Sequence, residues 1–278
     1  MENQNPLAKY YRQPKIYLSL PSKGQWWPEG SIKGDPTNLA VFGMTAMDEI
    51  MFKTPDALFT GESVVNVIKS CIPDIVDPWK MPQLDIDSVL MALRIATYGP
   101  KLNITFTCKN PECKEHNDAD LDLTSSLDYF SRLEYSNVVY CDPLTIFLKP
   151  YNYREFTDVQ MQTYELRRLL HQSTLSPNTE ESGKVLDEFY KKLGSVQADG
   201  YKKQIHSIEA DDAVVQDANQ INEWIRNSEK KFFDSIKKHL EKQRGIWRIP
   251  EQKIKCAKCE TENSVSVELD NSNFFVKD

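Results

Sequence analysis

The chain has 278 residues, of which 40% are hydrophobic and 27% charged, and its formal net charge at pH 7 is −7. This length allows one large domain or two smaller ones with a substantial core. The acidic charge argues against a general nucleic-acid-binding surface, because contacts to phosphates need a basic face. No apolar run of about 18 residues is present, and the first residues lack the apolar core of a secretory signal. We therefore expect a protein that folds in a reducing cytoplasm and has no membrane contact.

Residues 1–40 are predicted to form an extended, proline-rich arm. The first 36 residues contain five prolines: Pro6, Pro14, Pro21, Pro28 and Pro36. Proline fixes φ and lacks an N–H donor, so this segment cannot be a long helix or a central strand. Aromatic residues often anchor interfaces, so the arm packs on its own domain or reaches a neighbouring subunit. Trp26 and Trp27 are the predicted partner-binding residues.

Residues 41–100 are predicted to be helical. In TAMDEIMF, Thr45 can cap a helix with Asp48 three positions later, which is the pattern of a capping box. A second helix is predicted to begin with Pro55 behind Thr54. Its apolar face, at positions spaced i, i+3, i+4 and i+7, consists of Val64, Val67, Ile68 and Cys71. Cys71 is interpreted as a small buried hydrophobic residue.

A third helix is predicted in DIDSVLMALRIATYGP. Asp87 is the predicted N-cap, and Gly99 followed by Pro100 is the predicted stop. One side of this helix is apolar and is formed by Val89, Leu90, Leu93 and Ala96.

Residues 101–150 and 246–278 are predicted to form a β region. LNITFTC alternates apolar and polar residues, and VVYCDPLTIFLKP indicates two short strands that meet at Asp142-Pro143. The segment between them, 151–245, is predicted to be an inserted helical region. From Ala213 to Arg244 apolar residues follow the helical period, namely Ile221, Trp224, Ile225, Phe232, Phe233, Ile236 and Leu240.

Two cysteine pairs follow strand-like runs. Cys108 and Cys113 are separated by four residues in TFTCKNPECKEH, and Cys256 and Cys259 are separated by two residues in KIKCAKCE. Short loops between cysteines can direct two thiolates at one tetrahedral zinc ion. We therefore predict an α+β, helix-rich protein with a small antiparallel zinc ribbon that joins the middle of the chain to its C-terminal part. One structural Zn²⁺ is the predicted cofactor.

The distance between the pairs does not exclude a shared ion. They are separated by 142 residues, and closing such a loop costs on the order of 4 to 5 kcal/mol. Structural zinc contributes roughly 10 to 16 kcal/mol of apparent binding free energy at neutral pH. Three alternatives remain open at this point: disulfides, unrelated core cysteines, or a site in which His116 replaces one sulfur.

The sequence predicts no catalytic residues. A site of four cysteines is closed, whereas catalytic zinc keeps an open position. The chain contains no Gly-x-Ser-x-Gly, no phosphate-binding loop and no His-Glu-x-x-His. We therefore expect a protein that is not an enzyme and has no small-molecule substrate.

Four stretches resemble the baseplate hub assembly proteins of contractile-tailed, T-even-like bacteriophages. They are LPSKGQWW, TAMDEIMFKTPDALFTGESVVNVIKSCI, DIDSVLMALRIATYG and CAKCETENSVSVELDNSNFF. The first knuckle departs from the family pattern, since Cys-x₄-Cys stands where a tighter Cys-x₂-Cys is expected. The resemblance implies a viral structural or assembly factor that is made in the host cytoplasm. It implies binding to other baseplate hub and tail proteins. It leaves open whether the protein stays in the virion or leaves after assembly.

A zinc-ribbon nucleic-acid-binding protein is the alternative function. Zinc ribbons do host that role. The acidic net charge and the lack of basic residues concentrated around both knuckles argue against it.

Overall fold

The computed structural model describes residues 6–52, 60–175, 180–211 and 213–266. Within these ranges the chain forms eight α-helices and ten β-strands, and every strand pair is antiparallel. The α+β class predicted from the sequence is confirmed. None of the helices in these ranges has the length and apolar character needed to cross a bilayer.

The helices alternate with short strands along the chain. The α-helices are α1 (Ala46–Phe52), α2 (Glu62–Cys71), α3 (Gln83–Tyr98), α4 (Leu123–Ser131), α5 (Tyr153–Leu175), α6 (Glu180–Gln204), α7 (Ala218–Asn227) and α8 (Lys230–Ile246). Two 3₁₀ helices span Pro6–Tyr10 and Pro78–Lys80.

The strands form four small sheets. They are β1 (Pro14–Leu18), β2 (Leu39–Phe42), β3 (Lys101–Thr107), β4 (His116–Asp122), β5 (Val138–Cys141), β6 (Leu144–Leu148), β7 (Ile205–Ala210), β8 (Ala213–Val215), β9 (Gln252–Lys255) and β10 (Glu262–Val265). Three sheets are the two-stranded pairs β1-β2, β3-β4 and β9-β10, and the fourth has the order β5-β6-β7-β8.

The chain divides into two compact units. The first consists of the described residues up to Pro78, then Leu84–Glu134, then the described residues from Trp247 onward. The second consists of Trp79–Gln83 and Tyr135–Ile246. In sequence, the long segment of the second unit lies between the two hairpins that carry the cysteine pairs.

The N-terminal arm packs on the first unit. Its strand β1 pairs with β2 through Ile16 opposite Val41 and Leu18 opposite Leu39. Arg12 donates hydrogen bonds to the Gly43 carbonyl at 2.9 Å and to the Ser70 hydroxyl at 2.9 Å. Of the two arrangements predicted for the arm, the structure therefore shows packing on its own domain.

The capping box predicted at α1 is confirmed. The Asp48 carboxylate accepts hydrogen bonds from the Thr45 N–H and hydroxyl, each at 2.8 Å, and the Thr45 hydroxyl lies 3.2 Å from the Asp48 N–H. Asp48 is only 3% exposed. Arg12 and Ser70 also reach this carboxylate, so Asp48 joins α1 to both the arm and α2.

The apolar face predicted for α2 is confirmed. Val64, Val67, Ile68 and Cys71 are all buried. Burial raises the pKa of the Cys71 thiol to about 11, as expected for a residue that serves packing. The predicted helix start at Thr54 and Pro55 lies outside the described residues.

The N-terminal boundary predicted for α3 is wrong. The helix begins at Gln83, so Asp87 lies within it and does not cap it. The helical period continues through QLDI upstream of Asp87, because Leu84 and Ile86 are buried with the apolar side of the helix. The predicted stop is confirmed, since Gly99 has a left-handed φ of 92° and its N–H bonds the Ile95 carbonyl.

Asp85 is a buried carboxylate that connects α3 to the arm. Its oxygens accept hydrogen bonds from the Ser22 N–H at 2.8 Å, the Ser22 hydroxyl at 2.5 Å and the Trp27 indole N–H at 2.8 Å. Trp27 is half-buried, as is Trp26. The arm is therefore attached to the first unit by a second buried acidic residue.

Strand β4 and helix α4 of the first unit are absent from the sequence prediction. Strand β4 has the largely polar sequence HNDADLD, in which only Ala119 and Leu121 are apolar, yet all seven of its residues pair with β3. Helix α4 follows it, and the Asp122 carboxylate accepts a hydrogen bond from the Thr124 N–H at 2.9 Å as its N-cap.

The second unit is built around the four-stranded sheet. Its core consists of the buried residues Val139, Ile146, Leu148, Ile205, Ile208, Ile221, Ile225 and Ile236. The two strands predicted to meet at Asp142-Pro143 are confirmed as β5 and β6. The helical prediction from Ala213 to Arg244 needs correction, because Ala213–Val215 is strand β8 and α7 ends at Asn227 before α8 begins. Hydrogen bonding to β7 outweighs the weak helical preference of Ala213–Val215.

Asp85 should give the protein a measurable pH dependence. Burial raises the pKa of Asp85 to about 6, although hydrogen bonds from Ser22 and Trp27 lower it. The folded chain therefore binds this proton more tightly than the unfolded chain, and stability falls as pH rises from about 4 to about 6. The free energy of unfolding of the wild type, minus that of Asp85→Asn, should fall by up to about 3 kcal/mol across this window. Urea unfolding at both ends of the window measures it.

Asp35→Asn is the matched control for this experiment. Hydrogen bonds from the Thr37 N–H and hydroxyl lower the pKa of the exposed Asp35. The corresponding stability difference for Asp35 should therefore not fall as pH rises. A stability difference for Asp85→Asn that is the same at both ends would contradict the raised pKa.

Candidate metal centre

Each cysteine pair lies in the loop of an antiparallel hairpin. Cys108 follows directly after β3, and the loop closes at the pair Thr107 and His116. Cys256 follows directly after β9, whose last residue, Lys255, pairs with Glu262 of β10. The strand-loop arrangement predicted for both pairs is present in the first unit.

The two loops are closed by equivalent backbone hydrogen bonds. The Cys108 N–H donates to the Glu115 carbonyl at 2.8 Å, and the Cys256 N–H donates to the Thr261 carbonyl at 3.0 Å. In both loops the acceptor lies two residues after the second cysteine. The two extra residues of the first loop therefore leave the closing bond unchanged.

The residue after the second cysteine is left-handed in both loops. Lys114, which follows Cys113, has φ of 48°, and Glu260, which follows Cys259, has φ of 57°. Non-glycine residues rarely adopt this conformation. Its occurrence at both positions shows that the loops turn the chain in the same way.

The four sulfur atoms converge. The Sγ atoms of Cys108 and Cys259 are 3.6 Å apart, and those of Cys113 and Cys256 are 3.8 Å apart. All four lie within 4.8 Å of one another. A tetrahedral ion with bonds of about 2.3 Å to sulfur separates neighbouring sulfurs by about 3.8 Å. The arrangement therefore has the size of a site for one metal ion.

The geometry bears on the three alternatives left open by the sequence. A disulfide needs sulfurs about 2.05 Å apart, whereas the cysteines here are free thiols. The four residues meet in space, so they are not unrelated core cysteines. His116 is exposed, and its Nδ1 lies 3.2 Å from the Thr107 hydroxyl. Among the described residues, these four thiols are the one group that could hold a metal ion.

The environment divides the thiols into two kinds. Hydrogen bonds with the Thr261 side chain and backbone lower the pKa of Cys259 to about 6. The backbone N–H groups of Cys259 and Lys258 lower the pKa of Cys256. Metal ions bind thiolates, so these two cysteines are the more readily prepared ligands.

The other two cysteines hold their protons more tightly. A backbone hydrogen bond from Asn110 lowers the pKa of Cys108, but burial and the neighbouring thiols outweigh it and raise the pKa. A backbone hydrogen bond from Glu115 likewise lowers the pKa of Cys113, but burial and the neighbouring thiols raise it to about 11. A metal ion would displace these protons.

Two buried asparagines of the site were not predicted from the sequence. Asn117 is 7% exposed and Asn263 is 3% exposed, and each contacts the cysteine loop of the other hairpin. A signal was present in the sequence, because Cys113 and Cys259 are each followed four positions later by asparagine, in CKEHN and CETEN.

The other two cysteines and the two tryptophans lie apart from this site. Cys71 is buried on α2, and Cys141 Sγ lies 3.4 Å from the Ser235 hydroxyl in the second unit. Trp26 and Trp27 belong to the arm, and their predicted partner-binding role stays a prediction.

Comparison with known families identifies the protein's class. A family model described as T4 bacteriophage base plate protein matches residues 37–276. The chain belongs to this family. The phage family predicted from short stretches of sequence is confirmed, and the match also includes the helices of the second unit. No curated protein and no solved structure gives a significant match.

Membership of the base plate protein family has direct consequences for location and partners. It indicates a structural protein of the phage tail that contacts other tail or baseplate proteins. The match contains all four clustered cysteines and begins after Trp26 and Trp27.

The four clustered cysteines should bind about one divalent metal ion per chain. Cys113→Ser and Cys259→Ser should lose most of the metal, because serine does not replace a thiolate ligand. Cys141→Ser is the matched control and should keep it. Elemental analysis of the purified chains measures the metal, and thermal unfolding with and without a chelator measures its contribution to stability.

The chelator should lower the melting temperature of the wild type and of Cys141→Ser, but change that of the other two variants little. Wild-type protein that contains no metal and does not respond to the chelator would contradict the site.

Proposed function

We propose that the chain is a non-enzymatic component of the phage baseplate hub in which a zinc ion clamps two distant hairpins together. The observation that carries this proposal is the meeting of four thiols from hairpins 142 residues apart in a base plate family member. The four cysteines Cys108, Cys113, Cys256 and Cys259 would hold the ion. The two hairpins would form the predicted zinc ribbon.

Zinc is the metal that this set of ligands favours. Four thiolates in tetrahedral geometry select zinc or iron-sulfur centres, and structural zinc sites of this kind are closed. The sulfur separations of 3.6 and 3.8 Å fit a single ion. The ion would supply structure, and no reaction step is assigned to it.

The position of the hairpins in the sequence gives the clamp its role. The long segment of the second unit, Tyr135–Ile246, leaves the first unit after one hairpin and returns before the other. An ion that joins the hairpins would close this segment into a loop. The ion would then supply the free energy that closes this loop, and both ends of the segment Tyr135–Ile246 would be held by the clamp.

We assign the binding role to protein surfaces. The net charge of −7 gives no general basic face for nucleic acid. The arm carries Tyr10 and Tyr17, whose side chains are 73% and 64% exposed, close in sequence to Trp26 and Trp27. Exposed aromatic side chains are typical anchors of protein interfaces. We propose that the arm contacts hub partners in the host cytoplasm during assembly.

Recovery of the tagged chain from phage-infected cells tests this function. Mass spectrometry of the co-purified proteins should identify baseplate hub and tail proteins, and nuclease treatment should not reduce their amount. Association that depends on nucleic acid and weakens steeply with salt would instead support the zinc-ribbon nucleic-acid-binding alternative. Recovery of only host enzymes would contradict both functions.

The two tryptophans should separate partner binding from stability. Trp26→Ala should reduce recovery of hub proteins and lower stability less than Trp27→Ala does. Trp27→Ala should also lower stability, by about 1 to 3 kcal/mol, because the buried Asp85 carboxylate loses a donor. Trp27→Phe is the matched control for stability, because it keeps an aromatic side chain but removes the indole N–H that donates to Asp85.

Unchanged recovery of hub proteins by both Trp26→Ala and Trp27→Ala would contradict an anchoring role for these tryptophans. Pull-down yields and chemical unfolding of the same preparations provide both measurements.

A further inference from the structure

The two cysteine loops are related by an approximate internal twofold symmetry that includes the buried asparagines. Asn117 and Asn263 occupy the same position, four residues after the second cysteine and in the strand that follows the loop. The first cysteine of each pair is also buried, with Cys108 3% and Cys256 1% exposed. Equivalent residues in the two hairpins therefore have equivalent environments.

Each asparagine carbonyl crosses to the opposite hairpin. Asn117 Oδ1 accepts a hydrogen bond from the Ala257 N–H at 2.8 Å, and Asn263 Oδ1 accepts one from the Lys109 N–H at 2.8 Å. Ala257 and Lys109 are the residues directly after the first cysteine of their loops. Each asparagine thus holds the backbone next to a buried cysteine of the other hairpin.

Each asparagine amide group donates within its own loop. Asn117 Nδ2 donates to the Glu115 carbonyl at 3.0 Å, and Asn263 Nδ2 donates to the Thr261 carbonyl at 2.8 Å. A backbone N–H can only donate and a backbone carbonyl can only accept, so these partners determine which end of each amide is the oxygen. The orientation of both side chains follows from this network.

The same amide groups also face the buried sulfurs of the opposite hairpin. Asn117 Nδ2 lies 3.5 Å from Cys256 Sγ, and Asn263 Nδ2 lies 4.0 Å from Cys108 Sγ. Four thiolates around one divalent cation carry net negative charge, which N–H donors stabilise. The remaining two sulfurs, on Cys113 and Cys259, are the more exposed ones. The asparagine N–H groups therefore donate to the two sulfurs that water can reach least.

We propose that Asn117 and Asn263 are reciprocal positioning residues of the metal centre, each orienting and stabilising the buried cysteine thiolate of the opposite hairpin. The proposal rests on the metal clamp described under the proposed function. Each side chain uses its oxygen to place the cysteine backbone and its nitrogen to donate to the cysteine sulfur. Loss of either one weakens metal binding from both hairpins.

A purely structural role predicts a different result. If the asparagines only joined the hairpins, their replacement would destabilise the chain equally with and without metal. A positioning role lowers the affinity for the metal and the stability that the metal adds. Metal affinity and the metal-dependent part of stability therefore distinguish the two roles.

Asn117→Asp and Asn263→Asp test the proposal most directly. Aspartate keeps an oxygen for the backbone N–H but replaces the amide donor with a carboxylate that repels the thiolate. Metal affinity should fall by about 10- to 100-fold, as measured by competition for Zn²⁺ with a chromophoric chelator. The sulfur-to-metal charge-transfer band and the tetrahedral spectrum of the Co²⁺-loaded full chain should change as well.

Two further variants complete the experiment. Asn117→Ser removes the donor to the sulfur without adding charge and should also weaken Zn²⁺ binding, so the result does not depend on how well a buried carboxylate is tolerated. Asn219→Asp is the matched control, because it adds the same charge at an exposed position of α7, and it should bind Zn²⁺ as the wild type does.

The metal affinities of these variants separate failure of the positioning role from failure of the metal clamp. Wild-type affinity and Co²⁺ spectra in Asn117→Asp, Asn263→Asp and Asn117→Ser would overturn the positioning role and leave the metal clamp intact. Equal losses of melting temperature with and without chelator, at unchanged affinity, would do the same. A wild-type chain that binds neither Zn²⁺ nor Co²⁺ would overturn both the clamp and this inference.

Discussion

The approach of four sulfur atoms to within 4.8 Å is the constraint that brings the two cysteine hairpins of the first unit together. The sulfurs belong to two short hairpins, and neither hairpin has a substantial core of its own, because β3 alternates between exposed and half-buried residues. Two-stranded sheets of this kind are marginal in water. Hydrogen bonds from Asn117 and Asn263 join one hairpin to the other. An ion pair between Lys258 and Glu115, at 2.8 Å, also connects them. A metal ion at the centre would complete this arrangement.

Buried carboxylates play the corresponding part for the N-terminal arm. Asp48 and Asp85 are 3% and 0% exposed, and each accepts hydrogen bonds from the arm as well as serving its own helix region. A buried charge is costly unless its acceptors are satisfied. Asp48 is satisfied well enough that its pKa stays below its ordinary value, although burial opposes this. For Asp85 burial dominates and the pKa is raised, so the arm has one firm and one pH-sensitive attachment.

The elements that could be predicted from the sequence are those with local signals. The capping pair Thr45 and Asp48 and the stop at Gly99 act through bonds within a few residues. The strands that were missed depend on pairing with the preceding strand more than on a pattern in their own sequence. Strand β4 is polar and exists because it pairs with β3, and β8 is three residues long and pairs with β7. Helix α3 extends to Gln83 because burial of its first turn outweighs the capping preference of Asp87.

The candidate site divides in the same way. The sequence by itself determined the four cysteines and their hairpin loops, since ligand type and loop spacing are local properties of the chain. It determined the phage family through the resemblance of four stretches to known members. Only the tertiary structure decided that the sulfur of Cys108 lies 3.6 Å from that of Cys259 and the sulfur of Cys113 lies 3.8 Å from that of Cys256. It also decided that the side chains of Asn117 and Asn263 cross between the hairpins. The physical reason is that these contacts join residues 140 to 154 positions apart. Their geometry follows from how two separate hairpins pack, which no local pattern encodes.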